Sequence, residues 1–197
     1  EVQGLGQYKV LGQTLDDAAG EAFDKFAKMV GLGYPGGVKV DQEAQGGDIK
    51  AFAFPRALEK DPSLNFSFSG LKTSAANLIK GWDEEKILKH RKDLCASFQE
   101  AVVDALLNKF CRSAEEGDFL RVALTGGVSA NSRLRFRAQQ WADQKGIQLA
   151  VPPLKYCTDN AAMVGWAGFL RLQRGEQSSF QEGPSAQSLP GDFLRDE

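Results

Sequence analysis

The chain has 197 residues, 42% of them hydrophobic and 25% charged, proportions that give core enough for one large globular domain or two small ones. Lys+Arg total 24 against Asp+Glu 26, a formal net charge of −2, so no global field draws in nucleic acid and an RNA contact needs a local patch. No apolar run reaches the roughly 20 residues that span a bilayer and no signal-peptide pattern occurs. The three cysteines form no Cys-x-x-Cys. That composition speaks against membrane and disulfide-framework classes and suits a reducing cytoplasm.

In chain order, Gly4–Gly12 reads as a short strand between glycines. Thr14-Leu-Asp-Asp17 has the form of a capping box with acids in the first turn, where the helix dipole favours them. Leu15, Ala18, Ala19, Ala22, Phe23, Phe26, Ala27 and Val30 then keep a 3.6-residue period until Gly31 and Gly33, which predicts a helix. Asp17, Glu21 and Asp24 share one flank of it. Like charges so spaced repel, and the row is either a solvated face or, at one acid, an acceptor for hydroxyl groups of the kind that hold ribose.

Tyr34-Pro-Gly-Gly37 is a turn by composition, and Val38 to Gln45 is expected to be a short helix carrying Asp41. Phe52–Pro55 and the loop to Pro62 are expected to be irregular. Phe66 and Phe68 alternate with serines as in a short strand, with a helix expected from about Leu71 to Ile79. Ser69-Gly-Leu-Lys72 matches Ser-x-x-Lys of serine acyl-enzymes, but neither Ser-Asp-Asn nor Lys-Thr-Gly accompanies it, and the match is read as coincidence. Glu84 to Glu116 is helical throughout, as one helix or two, with Phe98, Ala101, Val102, Ala105, Leu106 and Phe110 as its apolar stripe. The single His90, among Lys89, Arg91 and Lys92, is expected in solvent.

Leu120, Val122, Ala123 and Leu124 predict a buried strand that breaks on Gly126-Gly127, and a helix-compatible run begins near Ser129. Strand, glycine turn and helix start bring bare backbone N–H groups and the positive end of a dipole to one point, and Asn131 in the first turn adds an amide that donates and accepts. An ordinary βα turn and a nucleotide site fit this pattern equally. The following helix carries Arg133, Arg135 and Arg137 and closes at Lys145-Gly146; Ile147–Val151 is a second strand, halted by Pro152-Pro153. Thr158 is the expected N-cap of a last helix, with Asp159 and Asn160 in its first turn and Ala161, Gly165 and Gly168 as a close-packing face. From Gly175 the Gln/Ser/Gly/Pro-rich chain is expected to be a loose tail.

TLDDAAGEAFDK (Thr14–Lys25), GLGYPGG (Gly31–Gly37), FSFSGLKT (Phe66–Thr73), GGVSANSRLR (Gly126–Arg135) and CTDNAAM (Cys157–Met163) together resemble the TsaD/OSGEP family, formerly labelled O-sialoglycoprotein endopeptidase. The resemblance runs from Gly4 to about Leu172. It implies an α/β chain of the actin/Hsp70/sugar-kinase-like (ASKHA, RNase-H-like) fold, here mainly the C-terminal lobe over residues 1–174, with a helical insertion at about 38–116 and a tail from 175. The implied activity is transfer of a threonylcarbamoyl group from threonylcarbamoyl-adenylate, made from ATP, threonine and bicarbonate, to N6 of adenosine 37 in tRNAs reading ANN codons.

Carried over by position, Asp24 and Asp41 resemble the family's ribose- and adenylate-binding acids, and Gly37 the glycine whose backbone lies against the nucleotide. Asn131 resembles the asparagine that contacts the adenylate, and Asp159 the metal-binding aspartate. The implied cofactors are one divalent ion, iron or zinc, and threonylcarbamoyl-adenylate or ATP; no catalytic nucleophile is assigned. Two family motifs have no counterpart: the His-x-x-x-His metal pair and the Ser-Gly-Gly-His-Thr phosphate loop. Glu1 aligns just after that loop, so the chain is expected to lack an N-terminal part and, alone, to bind metal poorly and not to turn over. Val38 stands where the family commonly has proline. The implied partners are tRNA, a catalytically silent same-fold relative and a small ATPase for a bacterial member, a kinase-containing complex for archaeal and eukaryotic ones, and a second copy of the chain. Metal-dependent glycoprotease and non-catalytic assembly module are the competing functions.

Overall fold

The computed structural model describes residues 1–177 together with Ser179 and Gly183. The chain divides into two compact units, one of Gly12–Cys157 and one of Glu1–Leu11 with the chain from Thr158 onward. The tail expected from Gly175 lies for the most part outside the described residues.

In the smaller unit β1 (Val2–Gly4) and β2 (Gln7–Tyr8) form an antiparallel pair, so the single strand expected over Gly4–Gly12 is instead a hairpin turning through Gly6 at φ 80°. The last helix, α6 (Ala161–Gln173), has no buried side chain, and nothing lies within 4 Å of where a Cβ on Gly165 or Gly168 would be. Among the described residues the small-residue face therefore packs against nothing. Arg174 Nη1 donates to the Leu5 carbonyl at 2.8 Å. None of the described helices is long and apolar enough to cross a membrane.

The larger unit is built on α4 (Glu84–Glu116), a single helix of 33 residues. Its start is fixed by Asp83, whose side chain accepts from the Lys86 N–H, and by Glu84 and Glu85 at the positive end of the dipole. Leu94, Cys95, Phe98, Ala101 and Val102 are fully buried against α1 (Ala19–Met29), α2 (Gly36–Glu43) and α3 (Ser69–Ile79). Phe98 stacks on Phe26 at 3.9 Å and meets Phe23 and Phe54 edge-on; such ring pairs add about 0.5–1.5 kcal/mol beyond their buried area. A second cluster joins Val103 and Leu107 of α4 to Leu134 and Ala138 of α5 (Ser132–Lys145). Beside α5, β3 (Arg121–Ala123) and β4 (Gln148–Ala150) pair in parallel, the crossover expected of a βαβ connection.

Several expectations need correction. The helix at Leu15 begins only at Ala19, with no side-chain cap at Ala18. Thr14 lies instead in an extended bridge to Phe66, where Leu15 N–H and Phe66 N–H each donate across the pair. The capping box is thus overridden by long-range backbone pairing. Asp17 falls outside the helix, so the row of three acids does not form: Asp17 takes Lys25 and Lys72, each at 3.0 Å, and Glu21 pairs with Lys25 at 2.7 Å. Phe66 is extended only as far as that single bridge to Thr14 and no longer strand forms there; its ring and that of Phe68, two residues on, lie on the same side and stack, 6.2 Å apart. His90 is half-buried against the rings of Phe52 and Trp82, not in solvent. The segment expected to be a buried strand leaves Leu120 76% exposed and Arg121 and Ala123 exposed; among the described residues its sheet has only two strands.

Candidate functional site

Helix α1 buries Ala22, Phe23, Phe26 and Ala27, and that anchoring turns Asp24 toward the start of α2. Asp24 Oδ1 accepts the Gly36 N–H at 2.7 Å, satisfying one of the donors a helix start leaves bare. Gly36 must be glycine: a Cβ there would stand 2.5 Å from Asp24 Cα and 2.7 Å from the Phe23 carbonyl oxygen. At Gly37 a Cβ would meet only Phe23 Cβ, at 4.0 Å, so the backbone there is open to approach. Lys39 Nζ folds back to the Leu32 carbonyl at 2.8 Å, closing the turn from its other side.

One turn further along α2, Asp41 reaches the start of α5. Its Oδ2 accepts the Ser132 N–H at 3.0 Å and its Oδ1 the Ser132 hydroxyl at 2.7 Å. Asn131 is the N-cap of α5, not a first-turn residue: Oδ1 accepts the Leu134 N–H at 3.0 Å, and Nδ2 donates to Gln99 Oε1 at 2.9 Å. The residues leading into α5 form a short 3₁₀ turn, Gly127–Ala130, entered through Gly126 at φ 85°. Ser129 Oγ in that turn is buried without a hydrogen-bond partner.

Asp24, Gly37, Asp41 and Asn131 are thereby strung along one continuous set of contacts, Asp24 to Gly36 and Asp41 to Ser132. Each carboxylate and the Asn131 amide retain hydrogen-bonding positions beyond those spent on the protein. Asp159 belongs to the other unit. It is exposed and precedes α6, whose N-cap is Asn160 rather than Thr158, with the side chain accepting from the Met163 N–H at 3.0 Å. Among the described residues no three His, Cys, Asp or Glu side chains come together as a metal site.

Sequence reasoning missed Gln99, Ser132 and Gly36. Gln99 carried a signal, a polar residue in an otherwise apolar stripe; Ser132 carried none, because its partner is distant in sequence. In Ser69-x-x-Lys72 the lysine Nζ donates to Asp17 Oδ2 at 3.0 Å. Burial pushes the Cys95 thiol up to about 12 and the Cys111 thiol up to about 11, which leaves both poor nucleophiles. A cavity of about 520 Å³ lies elsewhere, between Arg56, Asp104, Arg112, Arg137 and Trp141; its guanidinium groups are engaged by Asp104, Glu100 and the Asp61–Ser63 carbonyls.

Fold and site together define a mixed α/β protein in which one carboxylate holds the start of α2 and a second, carried by α2, holds the capped start of α5. Residues 1–166 match the family described as TsaD, tRNA N6-adenosine threonylcarbamoyltransferase, and the chain belongs to that family. Proteins named tRNA N6-adenosine threonylcarbamoyltransferase are among its relatives. That of Bdellovibrio bacteriovorus is 57% identical over 98% of this chain and 56% of its own length. Those of Geobacter sulfurreducens and Thermosipho africanus are 50% and 46% identical, over 89% and 87% of this chain and 52% of their own lengths. The chain spans about half the length of the curated relatives it matches.

Proposed function

We propose that the protein transfers the threonylcarbamoyl group of threonylcarbamoyl-adenylate to N6 of adenosine 37 in tRNA. The observation that carries this reading is the linked set Asp24–Gly36 and Asp41–Ser132 at the starts of α2 and α5, in a chain of the TsaD family. The remaining carboxylate lone pairs of Asp24 and Asp41 would accept the ribose hydroxyls, Gly37 would let the nucleotide lie against bare backbone, and Asn131 would fix its orientation. The unit Gly12–Cys157 would be the C-terminal lobe of an actin/Hsp70/sugar-kinase-like fold.

In the reaction the exocyclic amine attacks the carbamoyl carbon. A C–N bond forms, the C–O bond to phosphate breaks, AMP leaves with the electron pair, and the amine proton passes to solvent. The residues of this chain act by positioning, which can supply several kcal/mol of a barrier, rather than by forming a covalent intermediate. The described residues do not by themselves fit a metal. Asp159 is proposed as one ligand of an iron or zinc site completed from outside them, and no step is drawn through that ion. The proposed compartment is the cytoplasm, supported by three free thiols. Proposed partners for a bacterial member are tRNA, a silent same-fold relative, a small ATPase and a second copy of the chain.

The test incubates the full-length protein with threonylcarbamoyl-adenylate and unmodified tRNA and analyses the nucleosides. Modified adenosine is expected from the wild type and none from Asp159→Ala of unchanged thermal stability. Undiminished transfer by that variant refutes the role given to Asp159, and no product from the wild type refutes the reading.

A further inference from the structure

Tyr34 is 80% exposed, and among the described residues no hydrogen bond or ring contact engages it. An exposed tyrosine is ordinary by itself; its mounting is not. The ring projects from a turn held on both sides, by the Gly36 N–H on Asp24 at 2.7 Å and by Lys39 Nζ on the Leu32 carbonyl at 2.8 Å. Gly36 is wedged against the backbone of Phe23 and Asp24, so the base of the turn cannot drift from α1. The position before a helix N-cap commonly rests on an apolar residue five positions on, but that position is Lys39, turned away to Leu32. Tyr34 therefore has no apolar support of its own. Val38, four residues on and 52% exposed, is an exposed apolar side chain in the first turn of α2, and it shares a helix face with Asp41 at i, i+3 spacing.

We infer that Tyr34, with Val38 beside it, is a stacking platform for a nucleobase at the lip of the Asp24–Asp41 site. A planar ring on an anchored turn loses little freedom when a base settles on it, and base–aromatic stacking needs no particular base edge. The two carboxylates take hydroxyls, so a nucleoside that places its ribose there has a flat apolar face left to cover, and the platform supplies one. The base comes from one of two sources, the adenylate or the single-stranded loop of the tRNA. The inference rests on the reading that this edge binds a nucleoside.

The test measures AMP affinity by calorimetry and unmodified tRNA affinity by gel shift at fixed salt, on full-length wild type, Tyr34→Ala, Tyr34→Phe and Val38→Ser. Thermal unfolding of each variant should match the wild type, because both side chains are exposed. Tyr34→Ala is expected to weaken one ligand about tenfold, the order set by a lost stack, with Tyr34→Phe within about twofold of wild type and Val38→Ser in between. Loss confined to AMP assigns the ring to the adenylate's base, and loss confined to tRNA assigns it to a base of the RNA. Unchanged affinity for both ligands in Tyr34→Ala, or a Phe variant as weak as the Ala variant, overturns the platform. Should the wild type make no modified adenosine while Tyr34→Ala still loses AMP affinity, the transfer reading fails and the platform stands.

Discussion

At Gly36 the chain has no room for a side chain, and the atoms in the way are backbone rather than a flexible tip. Gly36→Ala must push α2 away from α1 and break the 2.7 Å bond to Asp24. Overpacking of this kind costs about 1–3 kcal/mol, and chemical denaturation is expected to show a loss of that size, whereas Gly37→Ala should leave stability within about 0.5 kcal/mol. Ser129 works in the opposite direction. Its buried hydroxyl has no partner, so Ser129→Ala removes an unsatisfied group and is expected to be neutral or stabilising by up to about 1 kcal/mol; a clear fall in the unfolding midpoint would show that the hydroxyl is satisfied after all. Asp24 and Asp41 were legible as candidates from their motifs. Their actual hydrogen-bond partners were not, because Gly36 is brought to Asp24 by the packing of α2 on α1 and Ser132 to Asp41 by the packing of helices far apart in sequence.

Among the elements, α4 is the one the others need. Phe98 touches Phe23, Phe26 and Phe54, and truncating such a ring to Ala costs about 3–5 kcal/mol. Phe98→Ala is therefore expected to unfold or severely destabilise the unit, while Leu88→Ala, at a half-exposed position of the same helix, should be nearly silent by the same denaturation measurement. The acid ties between α1, α3 and the loop before α1 set the pH response. Hydrogen bonds from Lys25 and then Lys72 hold the Asp17 carboxyl below its ordinary range. At Asp16, burial raises the value, but donors from Ser67, Phe68 and Ser69 outweigh it and lower it overall. A depressed carboxylate stabilises the fold above its unfolded pKa and loses that contribution as pH falls through the folded one. Thermal midpoints are expected to be flat from pH 8 to about 5 and to fall below about 4, with a shallower acid limb in Asp17→Asn. The helix periods, the Gly31 stop and the long α4 could be read along the chain because each depends on neighbours three and four residues away. The late start of α1 could not, since Thr14 is drawn into pairing with Phe66.

For the whole molecule, the chemistry of the donors decides what the 197 residues do alone. One family-matched carboxylate, Asp159, has no described companions from which to form a metal site. Titration of the isolated chain with iron or zinc is expected to show no tight stoichiometric binding; a site saturating at one equivalent would contradict this. The sequence by itself determined the family and the approximate course of the helices and offered Asp24, Gly37, Asp41, Asn131 and Asp159 as candidates, because motif order and local periodicity are written along the chain. Only the tertiary structure decided that Asp41 closes on Ser132, that Asn131 is a buried cap held by Gln99, and that Leu120 is left bare. Those outcomes depend on which surfaces meet once α4 has gathered its neighbours, and pairing between residues tens of positions apart leaves no periodic trace in a single sequence.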